Sequence, residues 1–244
     1  MSTPSVLTGV TLSGSALHIC DDTHVSRLDR STWSPSGLSS WRSCPARWAT
    51  EKLLPQTTDP FGDAQLGTSG HRVLELMFQL PPDQRTLDHA AAIISRLGPA
   101  DGLDMPDSPA DVMRWKSDVL AKISGLWRIE NPANVTVLAT EREIVSDVNG
   151  VPIRCIIDRT DEVVVDGSLV TRICDYKTGR PTPKYKQCTP QDDKAAQLSI
   201  YALALEKVDG VLPGALSLYF TGEQHATSYV VPIQPRRLTK VSDS

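Results

Sequence analysis

A chain of 244 residues, 40% hydrophobic and 22% charged, has enough apolar material for one sizeable core or for one core with an inserted helical lobe. The net charge of −4 argues weakly against a nucleic-acid partner, but Lys177, Arg180, Lys184 and Lys186 fall close together, and Arg236, Arg237 and Lys240 gather near the end. No apolar run reaches the roughly 18–20 residues of a membrane span. The first residues lack the basic and apolar regions of a signal peptide. The five cysteines (Cys20, Cys44, Cys155, Cys174, Cys188) are odd in number and show no C-x-x-C spacing. They read as reduced thiols of a cytoplasmic protein.

In chain order, residues 1–35 are rich in Ser and Thr and show no sustained period. They read as a lead-in, weakly structured or containing strands, with the domain proper over 36–244. The stretch 41–54 predicts a helix capped by Ser39 or Ser40 and stopped by Pro55. Thr68 or Ser69 is the expected cap of a second helix, running to Leu80 and ended by Pro81-Pro82. Further helices are expected over 84–97 and 109–129, the latter with Ser108 at N-cap and Pro109 at N1. Together, 81–131 reads as a helical insertion.

From Asn134 the pattern becomes that of strands. Runs at 135–145, 151–165 and 169–177 are separated by Asn149-Gly150 and Asp166-Gly167, both strong signals for two-residue hairpin turns. A helix over 192–208 follows, then a last hairpin of 215–220 and 227–233. Helices, a three-stranded meander, a helix and two strands predict an α/β (α+β) domain with a central mixed sheet.

The two turns permit a register argument. Counting back from Asp166-Gly167 sets Asp158 opposite Asp175, and counting back from Asn149-Gly150 sets Glu141 opposite Asp158. Directly opposed residues have Cα atoms about 4.5–5.5 Å apart. Three carboxylates would then line up across three strands, with Lys177 on the same face as Asp175. Facing like charges are destabilising, so such a row calls for a cation, and hard oxygen donors favour Mg²⁺ or Mn²⁺. Glu143, two residues on from Glu141, competes with it for this place. An exposed acidic face without a metal is the alternative.

Asp158 followed by Asp175-Tyr176-Lys177-Thr178-Gly179 resembles the core motif of the PD-(D/E)XK, restriction-endonuclease-like nucleases. Four further segments resemble the RecB-type branch of that superfamily in its own order, from about residue 38 to 201. They are Ser39-x-x-x-x-Cys44-Pro45-x-Arg47, Gly67-x-x-x-His71-x-x-Leu74-Glu75, Ile157-Asp158-Arg159 and Gln197-x-x-x-Tyr201. Where the family often has Gly three residues before the first aspartate, this chain has Cys155.

The resemblance implies a metal-dependent DNA nuclease, similar to the exonucleases of CRISPR adaptation and more an exonuclease than an endonuclease. Asp158, Asp175, Lys177 and Glu141 would be its catalytic residues. His71, Asp158, Asp175 and the carbonyl of Tyr176 would hold Mg²⁺ or Mn²⁺. Gln197, Tyr201, Arg47 and Arg180 would contact DNA. Lys177 would orient water or stabilise the transition state. His71, expected in the first turn of its helix, would be kept neutral there by the helix dipole, with Glu75 orienting it or merely exposed.

Relatives with an iron–sulfur cluster add three cysteines near the C-terminus to the one matched by Cys44. No cysteine follows Cys188, so no cluster is expected and Cys44 reads as a buried thiol. The chain has no phosphate loop of the G-x-x-x-x-G-K-[ST] type, which leaves a helicase or annealing protein as an expected partner. Recombination, repair or processing of phage or bacterial DNA is the implied context. A catalytically silent DNA-binding scaffold is the rival reading.

Overall fold

The computed structural model describes residues 10–13, 16–20, 22–28, 32–53, 59–182, 190–231 and 233. Strands β1 (Val10–Ser13) and β2 (Ala16–Ile19) form a small antiparallel sheet, followed by helix α1 (Asp22–Leu28). Trp33 then lies alongside β4 (Val151–Val165): its N–H donates to the Pro152 carbonyl at 2.8 Å, and its own carbonyl accepts from Arg154 N–H at 2.9 Å.

Where the sequence predicts one helix over 41–54, there are two, α2 (Pro35–Ser43) and α3 (Pro45–Leu53). Ser34, not Ser39 or Ser40, caps α2, its Oγ accepting from Gly37 N–H at 3.0 Å. The break is at Cys44, extended at φ −160° and ψ 98°. A residue before proline is sterically driven out of the helical region, and Pro45 then supplies the fixed φ that suits a first helical position. Cys44 Sγ accepts from Arg47 N–H at 3.5 Å. The thiol therefore sits as a cap at the start of α3, and it is exposed rather than buried as expected.

Helix α4 (Asp63–Phe78) also starts earlier than predicted. Thr68 and Ser69 are interior residues whose hydroxyls donate back to the carbonyls of Ala64 (3.1 Å) and Gln65 (2.9 Å). This is the in-helix alternative to capping for such side chains. Helices α5 (Leu87–Ile94), α6 (Pro109–Ile123) and α7 (Leu126–Ile129) follow. Ser108 caps α6 as expected, accepting from Asp111 N–H at 3.1 Å.

The main sheet has the order β3-β4-β5-β6-β7, with β3 (Thr136–Val148), β5 (Ser168–Lys177), β6 (Ala215–Phe220) and β7 (Thr227–Val231). Asn149, Gly150, Asp166 and Gly167 all have positive φ, as a two-residue turn matched to strand twist requires. The β5–β6 pair is parallel and the other pairs are antiparallel. A parallel pair needs a crossover, and α8 (Pro190–Asp209) supplies it.

Two cores result. Leu74, Met77 and Phe78 of α4 and Trp115, Val119 and Ile123 of α6 pack on Cys174, Tyr176 and Tyr219. Leu198, Ala202 and Leu205 of α8 pack on Ile157, Ile173 and Leu218. Each fully buried Leu or Ile contributes roughly 1.5–3 kcal/mol. Residues 173 to 176 thus alternate between two helical layers, which fixes which way Asp175 points. Among the described residues no helix is long and apolar enough to cross a membrane.

Candidate active site

The β4–β5 ladder is paired from Val165/Ser168 to Arg159/Cys174, which is the predicted register. Asp158 and Asp175 are the next positions along it. The β3–β4 ladder keeps its predicted register on both sides of Glu141, at Arg142/Ile157 and Thr140/Arg159, and shifts only beyond Ala139. Glu141 itself has φ 44° inside a strand, a left-handed conformation that costs a non-glycine residue on the order of 1–3 kcal/mol.

Three side chains converge here. His71 Nδ1 lies 3.4 Å from Asp158 Oδ1 and 4.0 Å from Glu141 Oε1. One ligand atom from each of the three falls within a 4.8 Å group. Asp158 Oδ2 accepts the backbone N–H of Tyr176 at 2.6 Å. Asp158 thus has one oxygen fixed by β5 and the other turned to the cluster.

Asp175 is 1% exposed. Its Oδ1 accepts from Gln197 Nε2 at 3.1 Å, and Lys177 Nζ lies 2.5 Å from its Oδ2. It adjoins the three-residue group without being part of it. Tyr176 meets the site through its main chain and through its ring, which is buried against Phe78 and Tyr219 and lies edge-on to His71 with centroids 6.2 Å apart.

The charges are strongly coupled. Burial works against an imidazolium at His71, but the charge and hydrogen bond of Asp158, with the charge of Asp175, together outweigh it and push the pKa up to about 9. The helix-dipole expectation is therefore overturned: His71 is in the middle of α4, beyond reach of its N-terminus, and faces carboxylates. Burial, then the charge of Asp158, lifts Glu141 to about 7. Burial likewise raises Asp175, with Lys177 opposing. A cation bound here would have to displace the protons that Glu141 and His71 hold more firmly than usual.

The remaining predicted residues divide. Gln197 Nε2 donates to the Tyr201 hydroxyl at 2.7 Å as well as to Asp175. Tyr201 is 5% exposed, so this pair buttresses Asp175 from inside. Arg180 lines a cleft of about 300 Å³ together with His71, Lys177, Thr178 and Lys194. Arg47 pairs with Glu51 at 2.7 Å on an exposed face of α3. Glu75 pairs with Arg72 at 2.7 Å. Glu143 pairs with Arg154 at 2.6 Å, which leaves Glu141 as the carboxylate of β3 in the cluster. Lys184, Lys186, Cys188, Arg236, Arg237 and Lys240 lie outside the described residues.

Sequence reasoning quoted Arg159 within a motif but gave it no role. Its side chain is wholly buried, paired with Glu130 (2.6 Å) and Asp161 (2.8 Å), and stacked 4.2 Å over the Phe78 ring and 5.5 Å over Tyr176. The run Asp158-Arg159-Thr160-Asp161-Glu162 between the apolar ends of β4 was the available signal. The partner Glu130 is far away in sequence and carried none.

No curated protein matches the chain. The model of the PD-(D/E)XK nuclease superfamily matches residues 32–242, a span that contains every residue of this cluster, and the chain belongs to that superfamily.

Proposed function

We propose that the protein is a Mg²⁺- or Mn²⁺-dependent deoxyribonuclease of the RecB type, acting as an exonuclease on DNA ends or single strands. The observation that carries this reading is the convergence of His71, Glu141 and Asp158 within 4.8 Å, tied by the Tyr176 amide to the strand that presents Asp175 and Lys177. An oxygen-rich set with one imidazole fits a hard divalent cation, and Mn²⁺ tolerates the nitrogen donor best. Asp175 and the Tyr176 carbonyl are the further ligands we assign from the motif.

A bound divalent cation lowers the pKa of water and neutralises charge developing on a phosphodiester. The protein does the rest. Asp158 and Glu141 hold the negative field that draws the cation in. Gln197 keeps Asp175 in one orientation. Lys177 places a positive charge where the attacking water and the phosphoryl oxygens meet. Water loses a proton as its oxygen bonds to phosphorus, and the 3′-oxygen leaves in line and takes up a proton. Arg180, in the cleft beside Lys177, contacts the next phosphate. Backbone contacts of this kind carry little base information, which suits sequence-independent trimming. A role in recombination, repair or DNA processing in the cytoplasm, beside a helicase or annealing protein, follows from the same reading.

The test compares linear duplex, linear single-stranded and covalently closed circular DNA under Mn²⁺. An exonuclease degrades the linear forms and leaves the circle intact. Cleavage of the circle makes the enzyme an endonuclease, and binding of all three without cleavage makes the chain a scaffold.

A further inference from the structure

The candidate ligands come from two bodies. Glu141, Asp158 and Asp175 belong to the sheet, as does Lys177 beside them, whereas His71 is carried by α4, which packs against α6. The geometry of the group therefore depends on how the helices are fastened to the end of β5. Beside the apolar packing of α4 on the sheet, Thr221 makes a hydrogen-bonded joint there.

Thr221 follows β6 immediately and is fully buried. Its N–H donates to the Lys177 carbonyl at 3.0 Å, and its carbonyl accepts from Gly125 N–H at 2.9 Å. Its hydroxyl donates to the Lys122 carbonyl at 2.8 Å. The last carbonyls of a helix have no partner within the helix, and Lys122 is in the last turn of α6. Thr221 thus caps α6 with its side chain while holding the motif lysine with its backbone.

The surrounding packing has no slack. A Cβ on Gly125 would lie 2.6 Å from the Thr221 carbonyl oxygen and 2.8 Å from that of Gly222. One on Gly70, the neighbour of His71, would meet Ile123 Cγ2 at 3.1 Å and Thr178 Cγ2 at 3.2 Å. One on Gly67 would meet Thr178 Oγ1 at 3.1 Å. Helix α4, the end of α6 and the Lys177–Thr178 segment therefore touch backbone to side chain around Thr221.

We infer that Thr221 is a positioning residue of the nuclease centre, a latch whose three hydrogen bonds hold the His71-bearing helices in register with Lys177. The inference rests on the nuclease reading above. Loss of the hydroxyl removes the partner of the part-buried Lys122 carbonyl. The end of α6 then moves away, and through Gly70 it takes His71 with it.

The experiment compares Thr221→Val, Thr221→Ala and Thr221→Ser with the wild type, and with Ile94→Val as a control that trims the same core away from the latch. Two quantities are read: the Mn²⁺ concentration giving half-maximal cleavage of end-labelled linear DNA, and the Mn²⁺ concentration giving half of the maximal thermal upshift. Positioning partners of metal ligands affect metal affinity or activity by about 10–100-fold. Thr221→Val and Thr221→Ala should raise both concentrations about tenfold, while Thr221→Ser and Ile94→Val stay close to the wild type. If Val and Ala variants melt earlier, as Ile94→Val does, yet keep wild-type Mn²⁺ dependence, Thr221 is merely structural and the inference fails. If the wild type cleaves nothing, the nuclease reading fails, and the thermal shift still decides whether Thr221 positions the cation site.

Discussion

The backbone N–H of Tyr176 donates to Asp158 Oδ2 at 2.6 Å. This bond lies just past the last paired residues of β4 and β5, where the ladder would otherwise open. It joins the strand bearing the first motif aspartate to the strand bearing Asp175 and Lys177. It also commits one Asp158 oxygen, so that the other faces His71 and Glu141.

Asp158→Asn keeps the shape of this residue and removes its charge. The cluster then loses its most central carboxylate and the partner that holds His71 protonated. Metal-assisted charge stabilisation is worth several kcal/mol, and about 3 kcal/mol corresponds to a rate loss of roughly 10²-fold. We expect at least that loss of Mn²⁺-dependent cleavage with a normal far-ultraviolet circular dichroism spectrum. An active Asp158→Asn enzyme would remove Asp158 from the centre.

Glu141 combines a left-handed backbone with a carboxylate pushed toward neutrality by burial and by Asp158. Glu141→Gly relieves both. The strain relieved, less the entropic cost of glycine, comes to about 1 kcal/mol, or roughly 2–4 °C in melting temperature for a chain of this size. The variant should melt higher than the wild type without metal and be at least about tenfold less active. A lower melting temperature would show that the left-handed residue is not strained.

The metal-free protein holds protons that a cation must displace. His71 has a folded pKa of about 9, above its unfolded value, so its contribution to stability is complete below about pH 6.5 and is lost as pH rises through about 9. Glu141, raised to about 7, acts in the same direction: its contribution is complete below about pH 4.5 and is lost through pH 7. The bound state needs both groups deprotonated. The Mn²⁺-induced rise in melting temperature should therefore grow from pH 6 to pH 9. A shift independent of pH would mean that neither group binds the cation.

Gln197 contacts Asp175 and Tyr201 rather than the cleft. Gln197→Met, of similar size, should reduce cleavage about 10–100-fold while DNA affinity measured in Ca²⁺ stays unchanged. Tyr201→Phe should be milder. If Gln197→Met weakens DNA binding and leaves turnover intact, the pair contacts the strand instead.

Arg159 is a buried charge held by Glu130 and Asp161 beneath the Tyr176 ring. Breaking a buried pair by removing one partner costs about 3–5 kcal/mol. Arg159→Met should lose that much in urea unfolding, and an unchanged unfolding midpoint would show that this buried charge does not anchor the sheet to the helices.

Much of this was legible in local chemistry. Asn149-Gly150 and Asp166-Gly167 dictate two-residue turns, and turn length fixes register. Register brought Glu141 and Asp158 close together, whereas the expected row of three is not formed: Asp175 lies past the last β4–β5 pair and beside the His71, Glu141 and Asp158 group. Local chemistry failed where tertiary context chose between equivalent readings. Thr68 and Ser69 can cap a helix or bond back within one, and the placement of α4 on the sheet selected the second. That error carried His71 to the wrong end of its helix and reversed the expected sign of its protonation. The Cys44-Pro45 step held a helix break that the residue-before-proline rule anticipates, yet the apolar pattern on both sides concealed it. Thr221 had no local signal at all, since its partners Lys122, Gly125 and Lys177 meet only in the folded chain.

The most direct test of the centre is cleavage of end-labelled linear DNA by the wild type, Asp175→Ala and Lys177→Ala over a titration of Mn²⁺ and Mg²⁺. A metal centre built on Asp175 and Lys177 predicts metal-dependent degradation by the wild type and none by either variant, with both variants folded by circular dichroism. Undiminished cleavage by either variant, or binding without cleavage by the wild type at every metal concentration, would contradict it.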